Sequence, residues 1–370
     1  MAQSHTLFIG MDVHKDALTV ADIAQAYGAE VSSLGSLGTR PCDSEQRVRK
    51  MPSQAPHLIF VYEAGPCGDW LYRYLRNKGD AGRGVAPALM PTQPGDRGKT
   101  DRRDAVPLAR LARSGALTAV YVPPVAEEAM RDLTRAREDA RSDGKDATFR
   151  LKACLLRHDI RSTGRAHGGP AHLRWLSELV CPSPAQHLVL QADVRAGPEH
   201  TARLQRLDQE LHEHVTAWRV SPVVDALQAL RGGQGTVAVP LGAAMGALTR
   251  CASPRALMKY RGLRPSASSS GAQRRQGAMT KAGNTPARRV LVAGAWASRS
   301  PAKVRRHVPL RLAKQPTGIQ DLSWQAQGRL CRRSRRLVSR GTHANVGTVA
   351  SARELTGFLW ALAKAVPIVA

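Results

Sequence analysis

The sequence predicts an α/β domain followed by a longer, mainly helical and strongly basic remainder, an α/β plus α protein of 370 residues. Three observations carry this. Short apolar runs alternate with helical signals over roughly the first 115 residues, a charged pattern with helical spacing follows, and the last section is loaded with arginine. Leu7–Met11, Leu18–Ile23 and Leu58–Tyr62 are apolar runs of strand length. After Tyr62, Glu63-Ala64-Gly65-Pro66 marks a turn, with Pro66 suited to the first position of a helix whose apolar face carries Trp70, Leu71 and Leu75. A further strand near Gly84–Leu89 precedes a loop of Pro91, Pro94 and Gly95, and the next helix begins around Asp101 and contains Leu108, Leu111 and Ala112. These elements fill residues 1–120.

Residues 121–220 form a predicted helical, coiled-coil-like arm: Met130, Leu133, Leu151, Leu155, Leu204, Leu207 and Leu211 recur at three-to-four spacing among charges, and Gly197-Pro198 is expected to divide it. Such an arm suits bridging or oligomerisation. An ordinary helical hairpin with solvated charges fits as well, because heptads are not sustained. Residues 221–370 open with a short helix ending in Arg231-Gly232-Gly233, followed by a stretch where Pro240 and Gly242 weaken any helix. From Arg288 to Arg340 the basic residues face a single acidic one, Asp321, a density that favours a phosphate-backbone surface. The apolar stretch Leu355–Ala370 holds Lys364 and Pro367, is too short to span a bilayer, and is expected as a helix packed on the core.

The balance of 55 Lys plus Arg against 29 Asp plus Glu leaves a formal charge of +26, so a polyanion is the expected partner and nucleic acid comes first. A membrane surface would call for a basic amphipathic helix or a lipid anchor, and neither is evident. Asp12, His14 and Lys15 break the N-terminal apolar run, which argues against a signal-peptide core. The 6 cysteines form no Cys-x-x-Cys pair, which points to reduced thiols in a cytoplasm, not a zinc site or disulfide framework.

Asp12 and Glu63 end predicted strands, and carboxylates at strand ends converge on the edge where such sheets place ligands. Asp101 and Asp104 lie three apart, so one helix face carries both. Four converging carboxylates repel one another unless a cation neutralises them, and Mg²⁺, which prefers oxygen ligands, fits phosphodiester chemistry. The bare residues also fit a plainer account: solvated acids, with Asp101 a helix cap and Asp104 paired to Arg102 or Arg103. Pro107 lies in the first turns of that helix and removes a backbone donor if it falls beyond the first turn. Near the other end, Tyr260–Gly271 contains Ser266, Ser268, Ser269 and Ser270 and runs into Arg274-Arg275-Gln276-Gly277. By composition this is a flexible Ser/Gly loop, a linker or a phosphate cradle. A serine hydroxyl there needs a base, a metal or a dense positive field to become a nucleophile, and no triad is legible with His307 and His343 so far away in sequence.

Three strings together resemble the insertion-sequence family one-hundred-and-ten, the DEDD serine transposases: Ile9-Gly10-Met11-Asp12-Val13-His14-Lys15, Val61–Gly68, and Pro94–Ala105 with its Lys99-Thr100-Asp101-Arg102-Arg103-Asp104. A fourth region, Gly262-Leu263-Arg264-Pro265 through Ser270-Gly271 to Thr280-Lys281-Ala282-Gly283-Asn284, resembles that family's serine loop. The resemblance implies a RuvC-like, RNase H-type N-terminal domain in which Asp12, Glu63, Asp101 and Asp104 bind a divalent metal, Mg²⁺. It also implies a mainly helical C-terminal transposase domain whose nucleophile is Ser270, with Ser269 the alternative. Arg274, Arg275, Lys281, Arg288 and Arg289 are the expected nucleic-acid contacts, and Thr285-Pro286 the expected cap and first position of a supporting helix through Val290, Leu291 and Trp296. The further implied partners are donor and target DNA, a structured guide RNA encoded beside the gene, and further copies of the chain in dimers to tetramers. A metal-dependent junction nuclease and a non-catalytic nucleic-acid binder remain the alternatives.

Overall fold

The structure is a computed structural model that describes residues 6–38, 57–91, 101–162, 168–246, 251–271, 273–303 and 307–366. It divides into two compact units, Met1–Val122 and Pro123–Ala370.

The first unit is built on a five-stranded sheet of order β3-β2-β1-β4-β5, with β1 (Thr6–Val13), β2 (Ala17–Ala24), β3 (Ser32–Gly38), β4 (His57–Glu63) and β5 (Ala81–Val85). β1 runs antiparallel to β2 and parallel to β4, and β5 is parallel to β4. Helix α1 (Gly68–Asn77) covers one face and α2 (Asp101–Arg113) the other. The central strand is therefore buried on both sides, which is why it reads as an unbroken apolar run. Leu7, Ile9 and Met11 pack with Leu71 and Leu75 of α1, whereas Phe8 packs with Leu108, Ala109 and Ala112 of α2. Gly10 faces α2 so closely that a Cβ there would lie 2.3 Å from the Ala105 carbonyl oxygen and 2.6 Å from the Ala109 nitrogen.

Several expectations shift in this unit. The strand expected near Gly84–Leu89 is β5, ending at Val85, and Pro87–Leu89 turns instead into a short 3₁₀ segment. Helix α1 begins at Gly68, after Pro66, and Trp70 is 40% exposed while Leu71 and Leu75 are buried. Leu71 and Leu75 are one helical repeat apart and share a face, and Trp70 sits about 100° from Leu71 around the axis. Strand β3 was not expected. Pro107 lies within α2 on its exposed side, so the helix continues past it without its ring meeting the sheet. The loop bearing Pro94 and Gly95 lies outside the described residues.

The second unit begins with α3 (Val125–Arg157), α4 (Pro170–Glu178) and α5 (Pro184–Thr216). Helices α3 and α5 run antiparallel: Arg137 pairs with Asp208, Asp143 with Arg203 at 3.1 Å, and Gly144 packs against His200. The expected break at Gly197-Pro198 does not occur, and α5 is continuous through an exposed Pro198. Packing along α3 on both sides of the proline outweighs the one backbone donor that it removes. A helical core follows: α6 (Ser221–Gln228), α7 (Gly235–Met245), α8 (Pro254–Tyr260), α9 (Thr285–Ala295), α10 (His307–Leu312), α11 (Thr317–Ser339) and α12 (Ala344–Ala365). Between α8 and α9 stands an antiparallel hairpin, β6 (Pro265–Ser270) and β7 (Gln273–Met279). Helix α7 forms despite Pro240 and Gly242. Ala238, Leu241 and Ala243 are buried, and a Cβ on Gly242 would stand 3.0 Å from Val224 and 3.2 Å from Trp218, so its absence admits the tryptophan. The expected C-terminal helix is the end of α12, with Leu355, Leu359 and Leu362 buried. Among the described residues no helix is long and apolar enough to cross a membrane.

Candidate active site

In the first unit β1 and β4 lie in parallel register, with Met11 beside Tyr62, and Asp12 and Glu63 are the next residue along each strand. Alternation along a strand puts Asp12 on the face of Phe8 and Gly10, and Glu63 on the face of Val61, which is the face α2 covers. The direction of α2 follows from its far end. Arg113 donates to the Ala29 carbonyl at 3.3 Å, and Ala29 lies just beyond Ala24, the partner of Leu7 at the opposite end of β1. The first turn of α2, carrying Asp101 and Asp104, therefore lies toward Asp12 and Glu63. Ala105, Leu108, Ala109 and Ala112 form its buried stripe, and Asp101 and Asp104 each stand four residues before a member of it.

Asp12 is 8% exposed, and His14 Nε2 lies 3.0 Å from its Oδ2. A carboxylate only accepts, so the imidazole donates. Sequence reading gave His14 no role, although the two-residue spacing places both side chains on one side of the extended chain. Glu63 and Asp104 are half-buried. The side chain of Asp101 lies outside the described residues, and among the described residues no three ligating groups are gathered closely enough to hold an ion. The donor set itself, all carboxylate oxygens, suits a hard divalent cation. The helix N-terminus beside it adds positive potential that favours clustered acids.

In the second unit the expected flexible serine loop is an ordered hairpin. Ser270 pairs with Gln273, Ser269 with Arg274 and Ser268 with Arg275, and Gly271, with φ +56, begins the turn. Ser268, Ser269 and Ser270 are all exposed. Ser266, at the foot, donates to the Ala278 carbonyl at 3.2 Å, and a Cβ on Gly277 would lie 2.3 Å from the Ser266 hydroxyl. The ladder, with no buried apolar face, supplies the order.

The five expected cation contacts divide into two groups. Arg275 and Lys281 are exposed, and Lys281 sits at φ +54, while the side chain of Arg274 lies outside the described residues. Arg288 and Arg289 work within the fold. Arg288 donates to the carbonyls of Arg261 at 3.1 Å and Ala282 at 3.2 Å and to Thr285 Oγ1 at 2.9 Å, tying the segment after the hairpin to the segment before it. Arg289 pairs with Glu138 on α3, and burial pulls its guanidinium below the ordinary range, with Glu138 partly opposing that. The cap of α9 is Asn284, whose Oδ1 accepts from Ala287 N at 2.9 Å, in place of the expected Thr285. Asn leads Thr as a cap residue. Val290 and Leu291 support the helix from the core, whereas Trp296 is 40% exposed. Arg261 is fully buried with no hydrogen-bond partner for its guanidinium among the described residues, and burial draws its pKa down to about 10.

Residues 9–159 match the DEDD transposase domain of IS110 type, and residues 224–308 match the transposase domain of the IS116/IS110/IS902 family. The chain is 37% identical over 364 residues to y4qE of Sinorhizobium fredii (strain NBRC 101917 / NGR234), named as a transposase, covering 98% of this chain and 90% of that one. It is 34% identical over 175 residues to the transposase for insertion sequence element IS1533 of Leptospira borgpetersenii, covering 47% and 50% of the two chains. A family 20 transposase of Pseudomonas aeruginosa is 26% identical over 322 residues. The protein is thus a transposase. It belongs to the IS110 family, and of its two domain matches one runs from the carboxylate unit through α3 and the other spans the serine hairpin.

Proposed function

We propose that the protein cuts and rejoins DNA with two sets of residues: the carboxylates Asp12, Glu63, Asp101 and Asp104, and the nucleophile Ser270. The placement of Asp12 and Glu63 at adjacent strand ends, on the face that receives the first turn of α2, is the observation that carries this reading. In this reading the N-terminal unit is RuvC-like, and its carboxylates hold Mg²⁺, which when bound supplies charge stabilisation for the phosphoryl and leaving oxygens. The Ser270 hydroxyl attacks phosphorus, the bond to the leaving strand oxygen breaks, and the serine proton ends on that oxygen by way of solvent. The strand is held as a phosphoserine ester, and attack by a new strand hydroxyl reverses the step, so one phosphodiester replaces another without loss of bond energy. Exposure of Ser270 on a hydrogen-bonded hairpin, with Arg275 on the facing strand, supports this role. A structured guide RNA supplies target choice, the arm supports dimers to tetramers in which active sites are shared, and the site of action is the cytoplasm.

The test is incubation with flanking RNA, donor DNA and target DNA, looking for a protein-DNA adduct that resists denaturation. Adduct formation that is lost in Ser270→Ala and kept in Ser269→Ala is expected, and the reverse assigns the nucleophile to Ser269. Normal cutting by Ser270→Ala without any adduct identifies a metal-dependent junction nuclease. Full DNA binding with no cutting in Mg²⁺ or Mn²⁺ identifies a non-catalytic binder.

A further inference from the structure

At the foot of the hairpin lies a cavity of about 490 Å³, within the range that takes a small ligand or a short chain segment. Arg255 and Lys259 of α8, Arg264 just before β6 and Arg353 of α12 line it, and its hairpin wall is Pro265 with the pair Ala267 and Gln276. No carboxylate lines it. Arg137, Arg141, Arg289 and Arg329 elsewhere in the unit have acidic partners, whereas among the described residues these four have none. Four positive groups around one cavity repel one another, and an anion relieves that repulsion. Guanidinium forks match phosphate oxygens in pairs, and Arg supplies three of the four groups. With Arg288 and Arg289 committed inside the fold, these residues join Arg275, on the strand facing the serines, as the positive charge near them.

We propose that this cavity grips the phosphodiester backbone of the DNA strand presented to Ser270. The proposal rests on the reading of Ser270 as nucleophile for its register. From Ala267 to Ser270 an extended strand spans about 10 Å. Phosphates of one strand follow a wide helical path and lie further apart than their axial rise of about 3.4 Å per nucleotide, so the gripped phosphate is within one or two nucleotides of the attacked bond.

The full chain, titrated onto donor DNA duplex at several salt concentrations, tests the proposal. Arg264→Ala/Arg353→Ala is expected to bind about tenfold more weakly and to flatten the slope of log affinity against log salt by about 0.9 for each phosphate no longer neutralised. Arg264→Lys/Arg353→Lys, which keeps the charge, is expected to restore the slope. If the double alanine variant does not fold, Arg353→Ala alone, at an exposed helical position, carries the measurement. An unchanged slope overturns the proposal, as does a slope that falls for RNA of the flanking sequence but not for DNA. Phosphate-ethylation interference checks the register: loss of an interference signal within about two nucleotides of the cut is expected, and loss only at remote positions overturns it. Ser270→Ala, which removes no cation, is expected to leave the slope alone. If that variant still forms the adduct, the nucleophile assignment fails while the salt slope continues to report on the cavity.

Discussion

The carboxylate edge and the serine hairpin place their chemistry in opposite ways. Asp12 and Glu63 extend from buried strands of the first unit, and at Gly10 the helix above them meets strand backbone with no side chain between. The serines stand on a two-stranded ribbon exposed along nearly its whole length, held by its ladder and by what Arg288 does at its base. One site is positioned by packing, so its geometry and its stability stand or fall together. The other is positioned by hydrogen bonds at its foot, so its chemistry can be removed with little effect on folding.

Mutations at four positions break or sharpen this contrast. Gly10→Ala drives a methyl group into the backbone of α2 and is expected to cost about 3 kcal/mol in urea unfolding, because neither backbone atom belongs to a side chain that can swing away. Arg288→Ala leaves two carbonyls and a hydroxyl without their donor at the hairpin base, for an expected loss of about 2 kcal/mol together with weaker adduct formation. Asp22, on β2, is raised in pKa chiefly by burial, with its own backbone and Ser32 partly offsetting that. A raised carboxyl favours folding only where it is protonated, so its contribution is present below the unfolded value of 3.8 and is lost as pH rises through the folded value. Asp22→Asn is therefore expected to raise the melting temperature modestly at neutral pH and to give no gain near pH 3. Ser270→Ala is expected to change stability by less than about 0.5 kcal/mol while abolishing the adduct. A Ser270→Ala loss as large as that of Gly10→Ala would show that the hairpin is packed after all.

The same difference explains what could be read in advance. Strands β1, β2 and β4 were legible because burial demands apolar runs, and Asp12 and Glu63 stood out as charges that end two of them. β3, with the sequence SSLGSLG, is an edge strand and carries no such run. The β6–β7 hairpin is exposed on both faces, so nothing in its serines and glycines alternates, and composition alone reads as a loop. The proline in α5 was overestimated as a breaker because the sequence does not display the neighbouring α3, whose Gly144 lets His200 come close just beyond it. The role of Arg288 was also invisible, since its carbonyl acceptors are backbone atoms, and any residue type can stand at 261 or 282 and still offer one.

Gly10 gives the carboxylate edge a fixed gauge. A single hydrogen atom separates the strand from the helix above it, so the gap between the two acid-bearing surfaces is about as narrow as a sheet and a helix can make it. The spacing at which β1 carries Asp12 past the first turn of α2 is therefore set by backbone, not by a side chain that could repack.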